Sequence, residues 1–198
     1  MRDFTLNVYK LLCEALIYQG FQSVTISDYL LANSNKKYVL LRHDVDKKPY
    51  NALRVAEIEN SLGISSTFYF RTTSEVFIPS LIQDISRLGH EIGYHYEVLA
   101  KSKGKYEDAI KLFEKELNEF REIVEIRTIC MHGSPYSPHK DSDLWNRYDY
   151  TKFGLESEAF LSLDYNKILY YTDTGRSWNG DRFNVRDQVE TVIKKPEV

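Results

Sequence analysis

The spacing of apolar and polar residues predicts four amphipathic helices. The clearest covers residues 105–124, where apolar residues recur at intervals of three and four and charged residues occupy the opposite face. The same spacing predicts helices over residues 4–19, 50–62 and 79–89. Each of these helices has one apolar face, so we expect each of them to pack against a sheet or another helix.

Short runs of β-branched and aromatic residues alternate with these helices and predict strands. The runs cover residues 37–43, 66–70, 91–95, 127–131 and 167–172. When strands and helices alternate, each helix carries the chain back to the start of the next strand, and the strands pair in parallel. The pattern therefore predicts one α/β domain over residues 1–198, with a parallel sheet that is either open or closed into a barrel.

Composition narrows the class of protein further. Apolar residues make up 42% of the 198 residues, which is enough to form a packed core. The 26 lysines and arginines are balanced by 29 aspartates and glutamates, so the chain lacks the basic surplus of a nucleic-acid-binding protein. No apolar run is long enough to span a membrane, and two cysteines cannot form a disulfide framework. We therefore expect a globular, cytoplasmic protein without a membrane span or a nucleic-acid partner.

Polar residues cluster directly after the predicted strands, where parallel strands place functional groups at one edge of the sheet. They are His43, Asp44, Asp46, His95, Glu97 and His132. Asp44 and Asp46 are one residue apart, so both carboxylates face the same side of an extended chain. Two such carboxylates repel each other unless one is protonated or a cation lies between them. Because Asp, His and Glu all bind zinc and similar metals, the pattern predicts a divalent metal site at this edge.

A second interpretation is that Asp44 and Asp46 only cap the next helix, in a structural α/β domain whose polar edge binds nothing. The convergence of His95, Glu97 and His132 on the same edge favours the metal site. The sequence contains no G-x-S-x-G, P-loop or G-x-G-x-x-G motif, so it does not favour a serine hydrolase or a nucleotide-phosphate site.

Three segments occur in an order that resembles the polysaccharide deacetylase family (the NodB-homology domain, carbohydrate esterase family four). They are Leu-Leu-Arg-His-Asp-Val-Asp at 40–46, Ser-Thr-Phe-Tyr-Phe at 66–70 and Gly-His-Glu-Ile-Gly-Tyr-His at 89–95. The chain is most similar to the variant group associated with O-antigen and other surface-glycan gene clusters. The resemblance implies a distorted, TIM-like (β/α) barrel of about seven strands. It also implies a hydrolase that removes an acetyl group from an N-acetylated sugar with one divalent metal ion.

The resemblance also implies roles for individual residues. Asp44 would be the general base, and Asp46 and His95 would be metal ligands. The implied metal is zinc, with cobalt or nickel as alternatives. The residues implied in substrate binding are Pro135, Tyr136, Asp173, Arg176 and Trp178.

The chain departs from the family pattern at three places. Val45 stands where many members have the metal aspartate, so the ligand role shifts to Asp46. Leu99 stands where the family has its second metal histidine, so Glu97 or His132 is expected to supply the third ligand. The chain ends about where the family's last strand, which carries the general acid, begins; His132 is therefore also the candidate general acid. These departures leave an alternative function open, a catalytically weak relative that binds a glycan or sugar nucleotide without hydrolysing it.

Overall fold

A parallel sheet forms the centre of the fold in the computed structural model, which describes residues 4–32, 36–133, 137–173 and 178. The first two strands along the chain, β1 (Gln22–Ser23) and β2 (Tyr38–Val39), do not belong to this sheet and form a separate parallel pair. The main sheet consists of β3 (Arg42–Val45), β4 (Thr67–Phe70), β5 (Glu91–Tyr96), β6 (Thr128–Met131) and β7 (Ser157–Glu158). These five strands lie side by side in the order of the sequence, and all neighbouring pairs are parallel.

Helices connect the strands and flank the sheet. The α-helices of the described residues are α1 (Leu6–Tyr18), α2 (Ile26–Leu31), α3 (Pro49–Ser61), α4 (Pro79–Arg87), α5 (Val98–Lys101) and α6 (Tyr106–Arg121). Two 3₁₀ helices follow at Asp141–Asn146 and Tyr150–Phe153. Proline at the first position of α3 and α4 sets the backbone angle with which each helix begins. Among the described residues, no helix is long and apolar enough to cross a membrane.

The structure confirms the α/β class, the four predicted helices and the predicted strands over residues 66–70, 91–95 and 127–131. The strand predicted over residues 37–43 is divided in two, since β2 pairs with β1 in a separate sheet and β3 belongs to the main sheet. The predicted strand over residues 167–172 is wrong, because these residues form turns and irregular chain. Leu169 is 86% exposed, and the Tyr170 hydroxyl accepts a hydrogen bond from Arg42 at 3.3 Å. An apolar, aromatic composition does not by itself make a strand, because a strand also needs a neighbouring backbone with which to pair. A closed barrel of seven strands is not seen in the part of the chain that the structure describes.

The two faces of the main sheet differ in character because successive residues of a strand point to opposite sides. One face, which we call the helix-covered face, carries Phe68, Ile92 and Tyr94, which pack with residues of α3, α4 and α6 in the main hydrophobic core. On the opposite face, half-buried Glu91 accepts hydrogen bonds from the hydroxyls of Thr67 and Thr128 at 2.7 and 2.8 Å. This opposite face, which is partly polar, leads to the candidate functional residues at the carboxyl edge of the sheet.

Gly93 of β5 leaves room on the opposite face for the ring of Tyr69, which is fully buried. A Cβ atom at position 93 would lie 2.2 Å from Cε1 of this ring and 3.0 Å from the carbonyl oxygen of Thr128. Neither neighbour can move away easily, because the Tyr69 ring and the Thr128 backbone both lie in the packed sheet.

We expect Gly93→Ala to lower the free energy of unfolding by about 1–3 kcal/mol, because the Tyr69 ring or the backbone of β5 must move. Chemical denaturation of the two proteins measures the difference. Gly133→Ala is the control, since a Cβ atom at Gly133 meets no atom within 4 Å. We expect that control to stay within about 0.5 kcal/mol of the wild type. Equal losses in the two variants would contradict the steric explanation.

Candidate metal centre

Three side chains from three different strands meet at the carboxyl edge of the main sheet. Asp46 directly follows β3, His95 lies near the end of β5, and His132 directly follows β6. Asp46 Oδ1 lies 3.0 Å from His132 Nδ1 and 3.6 Å from His95 Nε2, and these two ring nitrogens are 3.2 Å apart. We call Asp46, His95 and His132 the triad. Its three ligand atoms can hold a metal ion.

The spacing of the triad fits a tetrahedral metal. Zinc binds nitrogen and oxygen at about 2.0–2.1 Å, so two ligand atoms of a tetrahedral zinc site lie about 3.3 Å apart. Asp46 Oδ1 is inaccessible to solvent and, although His132 Nδ1 lies 3.0 Å away, accepts no well-aligned hydrogen bond from the described residues. A buried oxygen without a partner is costly, and a bound cation would provide one. The residues of the triad therefore fit a divalent ion.

The His95 ring is oriented as a metal ligand. Its Nδ1 donates a hydrogen bond to the carbonyl oxygen of Cys130 at 3.0 Å, so Nε2 carries the lone pair that faces the triad. Burial lowers the pKa of the His95 imidazole below its ordinary value, although the nearby Asp44 and Asp46 act in the opposite direction. A lowered pKa favours the neutral ring, which is the form that binds a metal.

The Asp46 carboxyl is held in its charged form. Burial raises its pKa, but the close contact with His132 and the electrostatic attraction of the two rings and of the Arg71 guanidinium outweigh burial and leave the pKa below its ordinary value. An ionised carboxylate beside a neutral imidazole is a suitable donor set for zinc.

Asp44 lies beside the triad without belonging to it. Its Oδ2 accepts a hydrogen bond from the guanidinium of Arg42 at 3.1 Å. Asp44, His95 and Cys130 form a second group whose ligand atoms lie within 4.8 Å of one another. Burial raises the pKa of the Cys130 thiol well above its ordinary value, which disfavours the thiolate that a metal requires. The triad is therefore the better metal site, and the Asp44 carboxylate is available for chemistry beside it.

Glu97 lies outside the triad. The guanidinium of Arg71 donates hydrogen bonds to both carboxylate oxygens, at 2.8 and 2.7 Å, and Lys101 lies 3.4 Å from the carboxylate. Burial raises the pKa of Glu97, but Arg71 and Lys101 outweigh burial and leave the pKa below its ordinary value. The structure thus brings His132 together with Asp46 and His95, and a ligand role for Glu97 stays a prediction.

The triad opens into a cleft of about 920 Å³. Asp46 and His132 belong to its wall, which also includes Lys47, Arg71, Glu97, Lys101, Lys103 and His139. Clefts of this volume are typical of sites for small molecules. Sequence analysis missed Arg71, although it directly follows β4 and the same argument about strand ends identifies it.

The residues predicted to bind substrate lie elsewhere or cannot be placed. Pro135, Tyr136 and Arg176 lie outside the described residues. Asp173 is exposed and does not belong to the described wall of the cleft. Trp178 stacks on the ring of Phe4, with centroids 5.5 Å apart, and packs against α1. The substrate-binding roles of these residues stay predictions.

Asp141 lies behind the cleft and begins the first of the 3₁₀ helices. Its Oδ1 accepts hydrogen bonds from the amides of Leu99 and Ala100 at 2.6 and 3.2 Å, whereas Oδ2 is buried and has no hydrogen-bond partner among the described residues. Burial raises the pKa of the Asp141 carboxyl from 3.8 to about 6, against the effect of the two amides. The folded protein therefore binds a proton here more tightly than the unfolded chain does.

This raised pKa predicts how stability depends on pH. The contribution of Asp141 is fully present below the unfolded pKa of 3.8 and is lost as the pH rises through about 6. Asp141→Asn keeps an oxygen for the two amides but cannot ionise. We therefore expect the wild type to lose up to about 3 kcal/mol of unfolding free energy relative to this variant between about pH 4 and pH 7. Chemical denaturation at several pH values measures the difference, and a difference that does not change with pH would contradict the assignment.

No protein-family model, curated protein or solved structure matches this chain. The features that bear on function are therefore the triad, the carboxylate of Asp44 and the cleft. The resemblance of the sequence motifs adds only the class of substrate.

Proposed function

We propose that this protein is a metal-dependent hydrolase that removes the acetyl group from an N-acetylated sugar. The observation that carries the proposal is the triangle of Asp46 Oδ1, His95 Nε2 and His132 Nδ1, with sides of 3.0, 3.2 and 3.6 Å, at the wall of an open cleft. The motifs that resemble polysaccharide deacetylases supply the acetylated sugar as the substrate class. Zinc is the proposed metal because of the donor set and its spacing, with cobalt or nickel as alternatives.

The proposal includes a fold that continues beyond the five strands of the main sheet. Those strands are all parallel and follow one another in the order of the sequence, which is the arrangement of a (β/α) barrel. We propose that the main sheet is part of a distorted barrel of about seven strands. The triad then lies at the carboxyl end of the barrel, where the active sites of such folds are found.

Asp44 is the proposed general base. Asp46, His95 and His132 would hold a divalent ion, which would supply Lewis acidity to activate water and polarise the acetamide carbonyl group. The Asp44 carboxylate lies beside His95 without belonging to the triad, so it can accept the proton of the attacking water. Its hydrogen bond from Arg42, at 3.1 Å, fixes one carboxylate oxygen and leaves the other for this proton.

The amine that departs needs a proton from a second group. His132 cannot both bind the metal through Nδ1 and donate a proton from that nitrogen. His139 belongs to the wall of the same cleft, and we propose that its imidazole is the proton donor. Arg71 also belongs to this wall, and its guanidinium is proposed to orient the substrate through hydrogen bonds.

The test of the proposed function is acetate release by the protein loaded with zinc. N-acetylglucosamine, its oligomers and its phosphorylated forms are offered as substrates, with and without a chelator. The proposal predicts acetate release that the chelator abolishes and added zinc restores. If the zinc-loaded protein binds these sugars but releases no acetate from any of them, the protein is a binding module and the proposed function is wrong.

A further inference from the structure

We infer that the natural substrate carries a phosphate group in addition to its acetylated sugar. The inference rests on the proposed function and adds to it the charge of the substrate. It comes from the charged residues of the cleft wall that do not belong to the triad.

Cationic side chains outnumber carboxylates in the wall of the cleft. The cations of the wall are Lys47, Arg71, Lys101 and Lys103, and its carboxylates are Asp46 and Glu97. Two of the four cations are neutralised within the protein, since Arg71 and Lys101 both contact Glu97, at 2.7 and 3.4 Å. Lys101 also lies 3.0 Å from Glu116. The surplus positive charge therefore comes from the other two lysines.

Lys47 and Lys103 form no ion pair with the residues that the structure describes. The wall has two carboxylates, and both are engaged elsewhere. Arg71 and Lys101 contact Glu97, and the histidines of the triad contact Asp46. Two exposed lysines in one wall match the charge of a phosphate, which accepts hydrogen bonds from several donors at once. A neutral sugar would leave both lysines without a partner in the cleft.

Lys103 has a backbone conformation that makes a matched control possible. Its φ is +52°, in the left-handed region that favours glycine, in the turn between α5 and α6. Lys48 has nearly the same φ, +53°, but does not belong to the described wall of the cleft. It therefore offers a matched control.

The experiment compares two substrates with the zinc-loaded protein at physiological salt. One is N-acetylglucosamine with a phosphate on its anomeric oxygen, and the other is the neutral methyl glycoside. We expect kcat/KM for acetate release to be at least about tenfold higher for the phosphate. The double variant Lys47→Gln, Lys103→Asn is expected to lower this ratio about tenfold, and Lys48→Asn is expected to change it less than about twofold. Asparagine tolerates the left-handed conformation, so these changes remove charge without adding strain.

The outcomes separate this inference from the proposed function. Equal kcat/KM for the two substrates, or a ratio that the double variant leaves unchanged, overturns the inference and keeps the hydrolase. A preference for an N-acetylated sugar with a carboxylate over the phosphate also overturns it. If neither substrate releases acetate, calorimetry measures binding of the phosphorylated sugar to the zinc-loaded protein. Binding that the double variant weakens supports the inference even though the protein is not a hydrolase. Absence of binding overturns the inference.

Discussion

Asp44→Asn is expected to lower kcat for acetate release by about 10²–10⁴-fold while the protein keeps its metal. The asparagine amide cannot accept the proton of the attacking water. Asp44 lies outside the triad, so its replacement leaves Asp46, His95 and His132 in place. The loss is therefore expected in kcat and not in metal content.

Two measurements test this prediction together, steady-state kinetics and metal analysis of the same preparation. Asp84→Asn is the matched control, because Asp84 undergoes the same chemical change on the exposed side of α4, where it pairs with Arg87. We expect the control to keep the wild-type kcat. An Asp44→Asn variant with full activity would contradict the role of Asp44 as the base, and loss of the metal would place Asp44 among the ligands.

His132→Ala is expected to weaken zinc binding about 100-fold or more, because it removes one of three ligands. Glu97→Gln is expected to change zinc affinity less than about tenfold, since the carboxylate of Glu97 is engaged by Arg71 at 2.7 Å and acts on the triad only from a distance. Competition with a chromophoric chelator measures both affinities.

The comparison of these two variants decides between the two ligands that the sequence leaves open. A larger loss in Glu97→Gln than in His132→Ala would assign Glu97 as the third ligand. Circular dichroism of both variants is needed beside the titration, because Glu97→Gln leaves the Arg71 guanidinium without its main carboxylate partner. A folded protein with weakened binding then reports on the metal site alone.

The sequence was sufficient to place the triad at one edge of the sheet. Asp46, His95 and His132 each stand at or just beyond the end of a strand whose composition predicts it. Because parallel strands align their carboxyl ends, knowing the strands was enough to predict that these residues meet. The helices were equally clear, since their apolar spacing depends only on local sequence.

The sequence could not show which neighbours compete for each side chain. Glu97 and His132 both stand near strand ends, and only the structure shows that Arg71 of the neighbouring strand end engages Glu97. His43 also stands in the predicted cluster, yet its Nε2 lies 2.8 Å from the buried Glu59 of α3. Alternation along β3 places His43 on the helix-covered face and Asp44 on the opposite one. Contacts of this kind join residues far apart in the chain.

The short strand β7 and the irregular segment 167–173 show a second limit of local patterns. Ser157 and Glu158 have no strand-like composition, but pairing with Thr128 and Ile129 of β6 makes them a strand. The more apolar run over residues 167–172 forms no strand. Tertiary context therefore outweighs composition for short segments.

Anomalous diffraction from crystals grown with zinc tests the central claim, that the triad holds one metal ion, most directly. Data collected on both sides of the zinc absorption edge locate the metal without assumptions about its ligands. The account predicts one anomalous peak at about 2.0–2.2 Å from Asp46 Oδ1, His95 Nε2 and His132 Nδ1. A zinc-containing crystal with no peak at the triad, or with its peak on other residues, would contradict it.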